Sequence, residues 1–423
     1  MQNLLIFALL TVQNKVFCAL FTIQIRIFAE NIYNMEKLQA NFDAMLRSTP
    51  TVFHRYMFDR INWHNRMLGL VGPRGVGKTT LMLQYAKEKL NRNTTLFVNA
   101  DDLYFSIHHL TDLADEFAKR GGTHLIIDEI HKYKDWAREL KLIYDYHADL
   151  NILFTGSSIL DIHKGSADLS RRAIVYSMQG LSFREYLNMF HLIEMPAYTL
   201  TDILQHQVVL PDKFRPYVYF SSFLKQGYYP FSQEDQFNIR LQQVINKTLE
   251  VDIPQYADMS VSTARKLKQL LTIIARSVPF KPNMSSIASM LGVSRNNLSD
   301  YFLFLEEAGL IAQLRNETGG IRGLGKVDKV YIDNTALMYS LGGENTDTGN
   351  LRETFFLNQT RVEQDVITSD ISDFRIADYI FEVGGKNKKQ KQLQGSTNGF
   401  VVKDDIEMGY MNIIPLWQFG LNY

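Results

Sequence analysis

The sequence predicts an α/β protein whose first large domain is built on a parallel β-sheet. Three observations indicate this fold class. Short apolar runs typical of buried strands alternate with segments of helical periodicity. A glycine-rich loop, Gly72–Thr79, joins the first of these runs to a helix, and the acidic pair Asp128-Glu129 ends a later run. Strands that alternate with helices are typical of βαβ units, in which crossover helices connect parallel strands.

The bulk composition sets limits on organisation and partners. The chain has 423 residues, which suggests two to four domains at about 100–200 residues each. Lys and Arg total 45, as do Asp and Glu, so a nucleic acid or a membrane surface would have to be bound by a local patch. The one cysteine, Cys18, excludes an intramolecular disulfide framework and a Cys-rich zinc site, and it favours a cytoplasmic protein.

Residues 1–34 form an apolar N-terminal extension that differs from the rest of the chain. Polar and charged residues such as Lys15 and Arg26 interrupt it, so no run reaches the ~18 apolar residues of a membrane helix. Its first apolar run follows no basic residue, which argues against a signal peptide. We expect translation to begin at Met35, with no stable membrane association and no cysteine in the protein. A membrane anchor is the alternative.

The loop Gly72–Thr79 (GPRGVGKT) fits the phosphate-loop pattern G-x-x-x-x-G-K-[ST] at every fixed position. It lies between the apolar run Met67–Val71 and the helical pattern Thr80–Lys89. Glycines let backbone N–H groups face phosphates, and the helix N-terminus adds partial positive charge. We therefore predict ATP as ligand, with Lys78 on its β- and γ-phosphates and Thr79 on Mg²⁺. The predicted contact residues are Gly72, Pro73, Arg74, Gly75, Val76, Gly77, Lys78, Thr79 and Thr80.

Two further strands are predicted at Thr95–Asn99 and His124–Asp128, and the second ends in Asp128-Glu129. An acidic pair at the carboxyl end of a buried strand is what a Walker B motif requires. Asp128 is predicted to hold Mg²⁺, directly or through water, and Glu129 to polarise the attacking water. Together with the phosphate loop, the pair predicts ATP hydrolysis in which Lys78 and Glu129 are catalytic.

The next predicted strand, Asn151–Ser158, ends in small hydroxyl residues. Ligands of α/β sheets bind at the carboxyl ends of the strands. Thr155, Ser157 and Ser158 are therefore candidates to sense the γ-phosphate, and we favour the two serines, with Ser157 as a cofactor-binding residue. A common turn sequence without this role is the alternative.

An arginine pair, Arg171-Arg172, precedes a fifth predicted strand at Ala173–Ser177. Arginine is suited to stabilising the charge on a transferring phosphoryl group, either in its own chain or in a neighbouring subunit. We name Arg172 as a candidate catalytic residue. A surface arginine pair is the equal alternative.

Taken in order, the segments GPRGVGKTT, HLIIDEIHK, NILFTGSS and LSRRAIVYSMQGLSFREYL resemble the AAA+ ATPases of a prokaryotic group that carries a C-terminal domain of unknown function. The first two segments are general to P-loop ATPases, whereas the LSFREY run and the ending EMGYMNIIPLWQFGLNY resemble this group. The resemblance covers nearly all of residues 35–423. It implies the strand order 5-1-4-3-2 and glutamate-dependent hydrolysis, but no substrate. The lid arginine of many AAA+ proteins is not identified in the sequence.

The predicted organisation after the ATPase core (35–180) is a helical lid or connector (181–255), a winged helix-turn-helix (256–325) and a small α+β domain (326–423). In the third part, Ser286–Met290 is the first helix and Ser294 caps a second, Arg295–Ala308. In a DNA-binding module the second helix enters the major groove. Its acids Asp300, Glu306 and Glu307 favour packing or a protein contact instead, although its exposed face would offer Arg295, Asn296, Asn297 and Ser299.

The final domain is predicted to be β-rich, with strands at Phe374–Ala377, Tyr379–Val383, Gly399–Val402 and Ile413–Trp417. Asp373, Glu382 and Lys386 resemble the acidic pair and lysine of restriction-endonuclease-like folds, in which carboxylates bind a metal. The lysine is displaced from the Glu-x-Lys pattern, so we expect this fold to have lost catalysis. The lysines of the following loop could contact a phosphate backbone or form a solvated loop: Lys386, Lys388, Lys389 and Lys391.

The sequence therefore predicts an AAA+ ATPase that uses ATP and Mg²⁺ to drive or switch the binding of DNA or a protein. The winged helix and the C-terminal domain would contact this partner, and an oligomer is compatible with the motifs. The alternatives are a nucleotide-gated DNA-binding regulator with little turnover, in which ATP selects one domain arrangement, and a metal-dependent nuclease.

Overall fold

The computed structural model describes residues 35–156, 169, 171–257, 259, 261–276, 281–316, 327–343, 346–389, 393 and 398–423. Four sequence predictions lie outside these residues: the N-terminal extension, the sensor candidates Ser157 and Ser158, the glycine-rich part of the wing and Lys391. Within the described ranges, no helix is both long enough and apolar enough to cross a membrane.

The first domain contains a five-stranded, fully parallel sheet in the order β5-β1-β4-β3-β2, which confirms the predicted fold class and strand order. The register places Val71 opposite Gly156 and Asn99 opposite Asp128. The loop that follows β1 and the acidic end of β3 therefore meet at the carboxyl edge of the sheet. The strands are β1 (Met67–Val71), β2 (Thr95–Asn99), β3 (His124–Asp128), β4 (Asn151–Gly156) and β5 (Ile174–Ser177).

Alternate residues of the strands enter two separate cores, one on each face of the sheet. In β3, Leu125 and Ile127 pack into one apolar cluster and Ile126 into the other. Burial on both faces explains why these strands are continuous apolar runs in the sequence. The helices of this domain are α1 (35–48), α2 (Met57–Arg60), α3 (Lys78–Lys89), α4 (Leu110–Lys119) and α5 (Trp136–Tyr146).

The lid follows β5 and consists of helices. The first begins with a capping box, in which the Ser182 hydroxyl accepts from the Glu185 N–H (3.1 Å) and the Glu185 carboxylate accepts from the Ser182 N–H (3.2 Å). The helices are α6 (Phe183–His191), α7 (Leu200–Leu204), α8 (Pro216–Ser222), α9 (Phe237–Lys247) and α10 (Ile253–Ala257). Two π-helical turns, Phe223–Gly227 and Thr248–Asp252, continue α8 and α9.

Arg55 and Glu185 form a buried ion pair beneath the glycine-rich loop, at 5% and 1% side-chain exposure. Arg55 Nε lies 2.9 Å from Glu185 Oε1, and Arg55 Nη2 donates to the carbonyls of Gln179 and Gly180, each at 2.8 Å. Its other terminal nitrogen donates to the carbonyl of Val76 in the loop. One guanidinium thus ties the back of the loop to the chain that leaves β5 and to α6, which gives the LSFRE run a structural role.

Three helices and a hairpin follow the lid. Ser294 caps the third helix, since its hydroxyl accepts from the Asn297 N–H at 3.2 Å, as the sequence predicts. β7 pairs antiparallel with β6, so the sequence-based boundary at residue 325 separates two strands of one hairpin. The elements are α11 (Val261–Arg276), α12 (Met284–Leu291), α13 (Arg295–Glu307), β6 (Ile311–Arg315) and β7 (Val327–Ile332).

The end of α13 lies against the glycine-rich loop. Gly309 has a φ of +71°, and a Cβ at this position would lie 2.6 Å from Pro73 Cγ. A side chain here would force either the loop or the helix to move. The end of α13 and the glycine-rich loop are therefore in direct contact through Gly309 and Pro73, which are far apart in the sequence.

Replacing Gly309 by alanine is expected to destabilise the protein by about 2–4 kcal/mol, from the left-handed backbone and from the overlap with Pro73. Gly292→Ala is the matched control, because Gly292 has a φ of +61° but nothing within 4 Å of its Cβ position. Urea denaturation of both variants measures the difference. Equal midpoints would contradict the Pro73 contact.

The C-terminal domain contains a five-stranded mixed sheet in the order β12-β11-β10-β9-β8. β8, β9 and β10 are antiparallel neighbours, and β10, β11 and β12 are parallel. β9, β10 and β11 lie where the sequence predicts strands, within one residue at their ends. β12 ends at Pro415, before the predicted end at Trp417, and β8 was not predicted. The elements are α14 (Thr335–Gly342), α15 (Thr348–Thr360), β8 (Val366–Thr368), β9 (Phe374–Ile376), β10 (Tyr379–Gly384), β11 (Gly399–Lys403) and β12 (Ile413–Pro415).

The final segment packs between the C-terminal domain and the first domain. Leu416–Leu421 forms a 3₁₀ helix in which Trp417 is fully buried. The Tyr423 hydroxyl donates to the Gly180 carbonyl (3.2 Å), and the Tyr423 ring packs edge-on against Tyr56. The prediction that this apolar ending is core is confirmed from Ile413 onward.

Candidate nucleotide-binding site

The glycine-rich loop wraps the start of α3 at the carboxyl edge of the sheet. Gly77, with a φ of +97°, occupies the N-cap position of α3. Few other residues adopt this backbone conformation without strain. The first turn of α3 has no acidic side chain, so the positive end of the helix remains available to an anion.

Lys78 is held by the loop that it follows. Its Nζ donates to the carbonyls of Gly72 (2.9 Å) and Pro73 (2.8 Å), and the residue is only 6% exposed. Burial lowers the pKa of the Lys78 ammonium to about 8, although Glu129 and Asp128 oppose this shift. The cation lies where β- and γ-phosphates would meet it, with two carbonyl contacts that phosphate oxygens can replace.

Thr79 and Asp128 bring together oxygen atoms that could hold a magnesium ion. The Thr79 hydroxyl lies 3.0 Å from both Asp128 carboxylate oxygens, and the Thr155 hydroxyl donates to Asp128 from the other side. Burial raises the pKa of the Asp128 carboxyl. Mg²⁺ binds to one or two protein oxygens together with phosphates and waters, so this pair fits the ion. No described residues form a group of three or more His, Cys, Asp or Glu side chains that could hold a metal alone.

Thr155 belongs to this acidic site, since its hydroxyl also accepts from the Glu129 N–H at 3.1 Å. It is almost fully buried. The sequence analysis favoured Ser157 and Ser158 over Thr155, and those serines lie outside the described residues. Within β4, Thr155 is the hydroxyl residue that reaches Asp128 and Glu129.

Glu129 occupies a left-handed backbone conformation (φ 53°, ψ 40°), which is strained for a residue with a side chain. Its Oε2 lies 3.3 Å from Arg74 Nη2 and 3.8 Å from His131 Nε2. The side chain retains 21% exposure and lines the same cavity as Lys78 and Thr79. Glu129 is therefore directed at the space in which a nucleotide phosphate and a water would lie.

The cavity has a volume of about 610 Å³ and lies between the loop and the lid. Lid residues on this cavity were missed by the sequence analysis, including the arginine of α9, Arg240. A Cβ at Gly75 would lie 2.8 Å from Phe231 Cε1, so this ring covers the loop. The only sequence signal was a helical spacing of polar side chains along α9: Arg240, Gln243 and Lys247.

Asp252 connects the lid to both the loop and the turn that follows β3. It is 2% exposed, and its two carboxylate oxygens accept from Arg74 Nε (3.0 Å) and Nη2 (3.2 Å). Lys132 Nζ lies 3.2 Å from Asp252 Oδ1. Burial alone would raise the pKa of Asp252, but Arg74 and Lys132 outweigh burial and lower it. Arg74 thus joins the lid carboxylate to Glu129.

Arg172 lies at the amino ends of the parallel strands, whereas the glycine-rich loop lies at their carboxyl ends. Arg172 precedes β5, whose Ile174 is opposite Leu68 near the start of β1, and it pairs with Asp145 of α5 through two contacts of 2.9 Å. The glycine-rich loop begins at the other end of β1. The structure therefore does not bring Arg172 into the site of its own chain, because the length of the parallel strands separates them.

The acidic pair of the C-terminal domain is assembled, but with a different lysine. Asp373 accepts from the Val383 N–H (2.9 Å) beside Glu382, and Lys388 rather than Lys386 forms the ion pair with Glu382. The sequence predicted Lys386 in this position. Gly384 accounts for the difference, because a Cβ there would lie 2.6 Å from Lys388 Cδ. The absence of a side chain at Gly384 lets Lys388 cross the strand, whereas Lys386 is exposed.

The affinity for ATP is expected to fall as the pH rises above about 8. Phosphates favour the charged ammonium, so nucleotide raises the pKa of Lys78 above its value of about 8 in the free protein. Above pH 8 binding therefore takes up a proton, and the affinity falls by up to about tenfold per pH unit. Titrations with a fluorescent ATP analogue between about pH 7 and 10 measure this slope.

Two variants test the origin of this pH dependence. Lys78→Arg is expected to flatten the slope, because arginine stays charged over this range. Lys89→Arg, at an exposed position near the end of the same helix, should keep the wild-type slope. A pH-independent affinity in the wild type would contradict the assigned role of Lys78.

Two family models match parts of the chain. Residues 64–187 match the AAA domain family, and residues 224–348 match a family described as Domain of unknown function (DUF8612). The first match supports assignment of the P-loop domain to the AAA+ superfamily. No curated protein sequence matches the chain significantly.

The chain is also similar to several solved structures. The Walker-type ATPase PABY2304 of Pyrococcus abyssi matches at 13% identity and a TM-score of 0.42, over 69% of this chain and 96% of that one. NtrX from Brucella abortus in complex with ATP matches at 15% identity and 0.28, over 67% and 75%. PCH-2 of C. elegans matches at 18% identity and 0.25, over 65% and 66%. The functional assignment rests on the site geometry and on the AAA domain match.

Proposed function

We propose that this chain is a Mg²⁺-dependent ATPase of AAA+ type that uses the nucleotide cycle to control binding of a macromolecular partner. One observation carries the proposal. Lys78, Thr79 and Glu129 line one cavity at the carboxyl edge of the sheet, and Asp128 contacts Thr79 directly behind them. A cation, a hydroxyl–carboxylate pair and a second carboxylate are the groups that phosphoryl transfer requires.

Each group has a distinct role in this proposal. Lys78 exchanges its two carbonyl contacts for phosphate oxygens of ATP and neutralises part of their charge. Thr79 and Asp128 would hold Mg²⁺, which would supply further charge neutralisation. Glu129 orients a water and accepts its proton as the water attacks the γ-phosphorus, while the bond from the γ-phosphorus to the bridging oxygen breaks and ADP leaves with that oxygen. Arg240 and Lys247 supply further positive charge from the lid side of the cavity.

The contacts around the loop support coupling between nucleotide and the remaining domains. Arg74 is bound by Asp252 of the lid, and Pro73 is in contact with Gly309 at the end of α13. A ligand that interacts differently with two arrangements shifts the balance between them. We propose that ATP and ADP favour different domain arrangements, and that Pro73 and Arg74 transmit the difference from the loop. The winged helix and the C-terminal domain would then bind DNA or a protein in one of these arrangements.

The position of Arg172 permits a role in an oligomer. If this arginine is catalytic, its distance from its own phosphate loop means that it acts in the site of another subunit. We propose this role as the alternative to a structural ion pair with Asp145. Loss of turnover in Arg172→Ala with unchanged ATP affinity would support it, and unchanged turnover would remove it.

Steady-state ATP turnover tests the proposed function. Wild-type protein is expected to hydrolyse ATP in Mg²⁺ and to stop when the metal is chelated. Lys78→Ala should lose at least about 100-fold, whereas Lys89→Ala, an exposed lysine on the same helix, should match the wild type. Wild-type turnover no higher than that of Lys78→Ala, with and without DNA, would overturn the proposal.

A further inference from the structure

We propose that the junction of α11, α12 and α13 binds the phosphate backbone of duplex DNA. The surface, called here the basic face, consists of Arg265, Lys266 and Arg295. DNA is the macromolecular partner in this inference. Only control of the binding by ATP rests on the proposed function.

The charge distribution in this part of the chain is one-sided. Residues 261–299 contain six Lys and Arg residues and no Asp or Glu, in a chain with 45 of each sign. At the chain-wide frequency of 45 acids in 423 residues, about four would be expected there. A local excess of cations on a neutral protein is the electrostatic signature of a polyanion partner. The six cations are Arg265, Lys266, Lys268, Arg276, Lys281 and Arg295.

The fold brings two of these cations, Lys266 and Arg295, to the same helix pair. Lys266 Nζ donates to the carbonyl of Gly292, in the turn between α12 and α13, at 3.2 Å. Arg295 begins α13 and donates to the hydroxyl of Ser285 on α12. Arg265 is the exposed neighbour of Lys266 on α11. Cations of two helices therefore converge on the turn of the helix pair.

Lys268 is not part of the basic face. Its Nζ donates to Asn246 Oδ1 at 2.8 Å and lies 3.6 Å from Glu250. It faces α9 and is partly neutralised there. Lys268 lies near an acid, whereas Lys266 and Arg295 donate to an uncharged carbonyl and an uncharged hydroxyl.

Two of the three acids of α13, Glu306 and Glu307, are only partly exposed. Glu306 accepts from Arg315 (2.7 Å) and from Gln313 (2.8 Å) on β6, so its charge is compensated within the hairpin. Glu307 is half-buried. Asp300 is the exposed acid that remains on α13. The sequence-based prediction counted all three acids against DNA binding, because burial and the contacts of Glu306 cannot be read from the sequence.

The same end of α13 exposes groups that can contact phosphates and bases. Asn296 and Asn297 are exposed in its first turn. Asparagine side chains hydrogen-bond both to phosphates and to base edges, and backbone N–H groups at a helix N-terminus add phosphate contacts. α13 has 13 residues and is therefore about 20 Å long. Its basic end is this far from Gly309, which rests on Pro73, so one rigid helix connects the DNA face to the phosphate loop.

Salt-dependent binding of a fluorescent duplex of about 20 base pairs tests the inference. The full-length wild type is expected to bind with an affinity that falls steeply between about 50 and 200 mM salt. The double variant Arg265→Ala/Arg295→Ala should bind at least about tenfold more weakly and reduce the slope of log K against log salt by about 2. Circular dichroism checks that the variants are folded.

The matched control removes two exposed arginines from the ATPase domain, Arg47→Ala and Arg138→Ala, and should bind as the wild type does. Equal affinity and slope in the two double variants would overturn the inference and assign the face to a protein contact. Tighter binding of an RNA duplex of the same length would overturn the assignment to DNA. Because the assay needs no nucleotide, DNA binding without ATP turnover would refute the proposed function alone, and turnover without DNA binding would refute this inference alone.

Discussion

Glu129→Gln is expected to lower the kcat of ATP hydrolysis by at least about 100-fold while the ATP affinity stays within a few-fold. The amide keeps the size of the side chain but cannot accept the proton of the attacking water. A 100-fold loss corresponds to about 2.7 kcal/mol of transition-state stabilisation. The affinity is retained because Lys78 and the loop, rather than Glu129, contact the phosphates. Steady-state turnover and equilibrium binding of a fluorescent ATP analogue measure the two quantities separately.

Glu234→Gln is the matched control for this loss. Glu234 also lines the cavity, but it is about half-exposed and pairs with Arg240 at 3.3 Å on the lid side. Its replacement should leave kcat within a few-fold of the wild type. Comparable losses in kcat for the two variants would contradict the assignment of Glu129 as the group that activates water.

Arg55→Ala is expected to reduce the free energy of unfolding of the ATPase domain by about 3–5 kcal/mol, because it leaves an unpaired buried carboxylate. Glu185 is 1% exposed and has no access to water that could replace the guanidinium. The carbonyls of Val76 and Gln179 lose this donor as well, whereas the Gly180 carbonyl keeps the Tyr423 hydroxyl. Chemical denaturation followed by tryptophan fluorescence measures the shift.

Arg60→Ala provides the control for Arg55. Arg60 pairs with Glu363, but both side chains are exposed, at 40% and 28%. Exposed ion pairs contribute about 0–1 kcal/mol, so this variant should unfold close to the wild type. If Arg55→Ala were no less stable than Arg60→Ala, the buried pair would not hold the loop in place as the structure indicates.

The parts of the fold that follow from local patterns were predicted from the sequence. β1, β2 and β3 begin and end at the predicted residues because both faces of the sheet are buried, which makes each strand a bounded apolar run. The Ser294 cap likewise depends on residues within one turn of helix. The contacts of Lys78, Thr79 and Asp128 agree with the motif because its spacing and the parallel sheet together bring these residues to one edge.

The contacts between distant segments could not be predicted in this way. Asp252 and Gly309 reach the loop only through the packing of the lid and of α13, and no periodicity in the sequence reports this packing. Lys388 replaces Lys386 because Gly384 leaves room across a strand, which spacing alone does not reveal. The position of Arg172, by contrast, could have been predicted, because a residue before a parallel strand lies at the opposite edge from the loop that follows the neighbouring strand.

The most direct test of the central claim is single-turnover hydrolysis of Mg²⁺-ATP with the protein in excess. In the wild type, bound ATP is expected to convert to ADP in one exponential phase that disappears when Mg²⁺ is chelated. Glu129→Gln should bind the same fraction of ATP and retain it as ATP for at least about 100 times longer. Wild-type protein that binds ATP but retains it unhydrolysed for as long as Glu129→Gln does would contradict the claim that this cavity hydrolyses ATP.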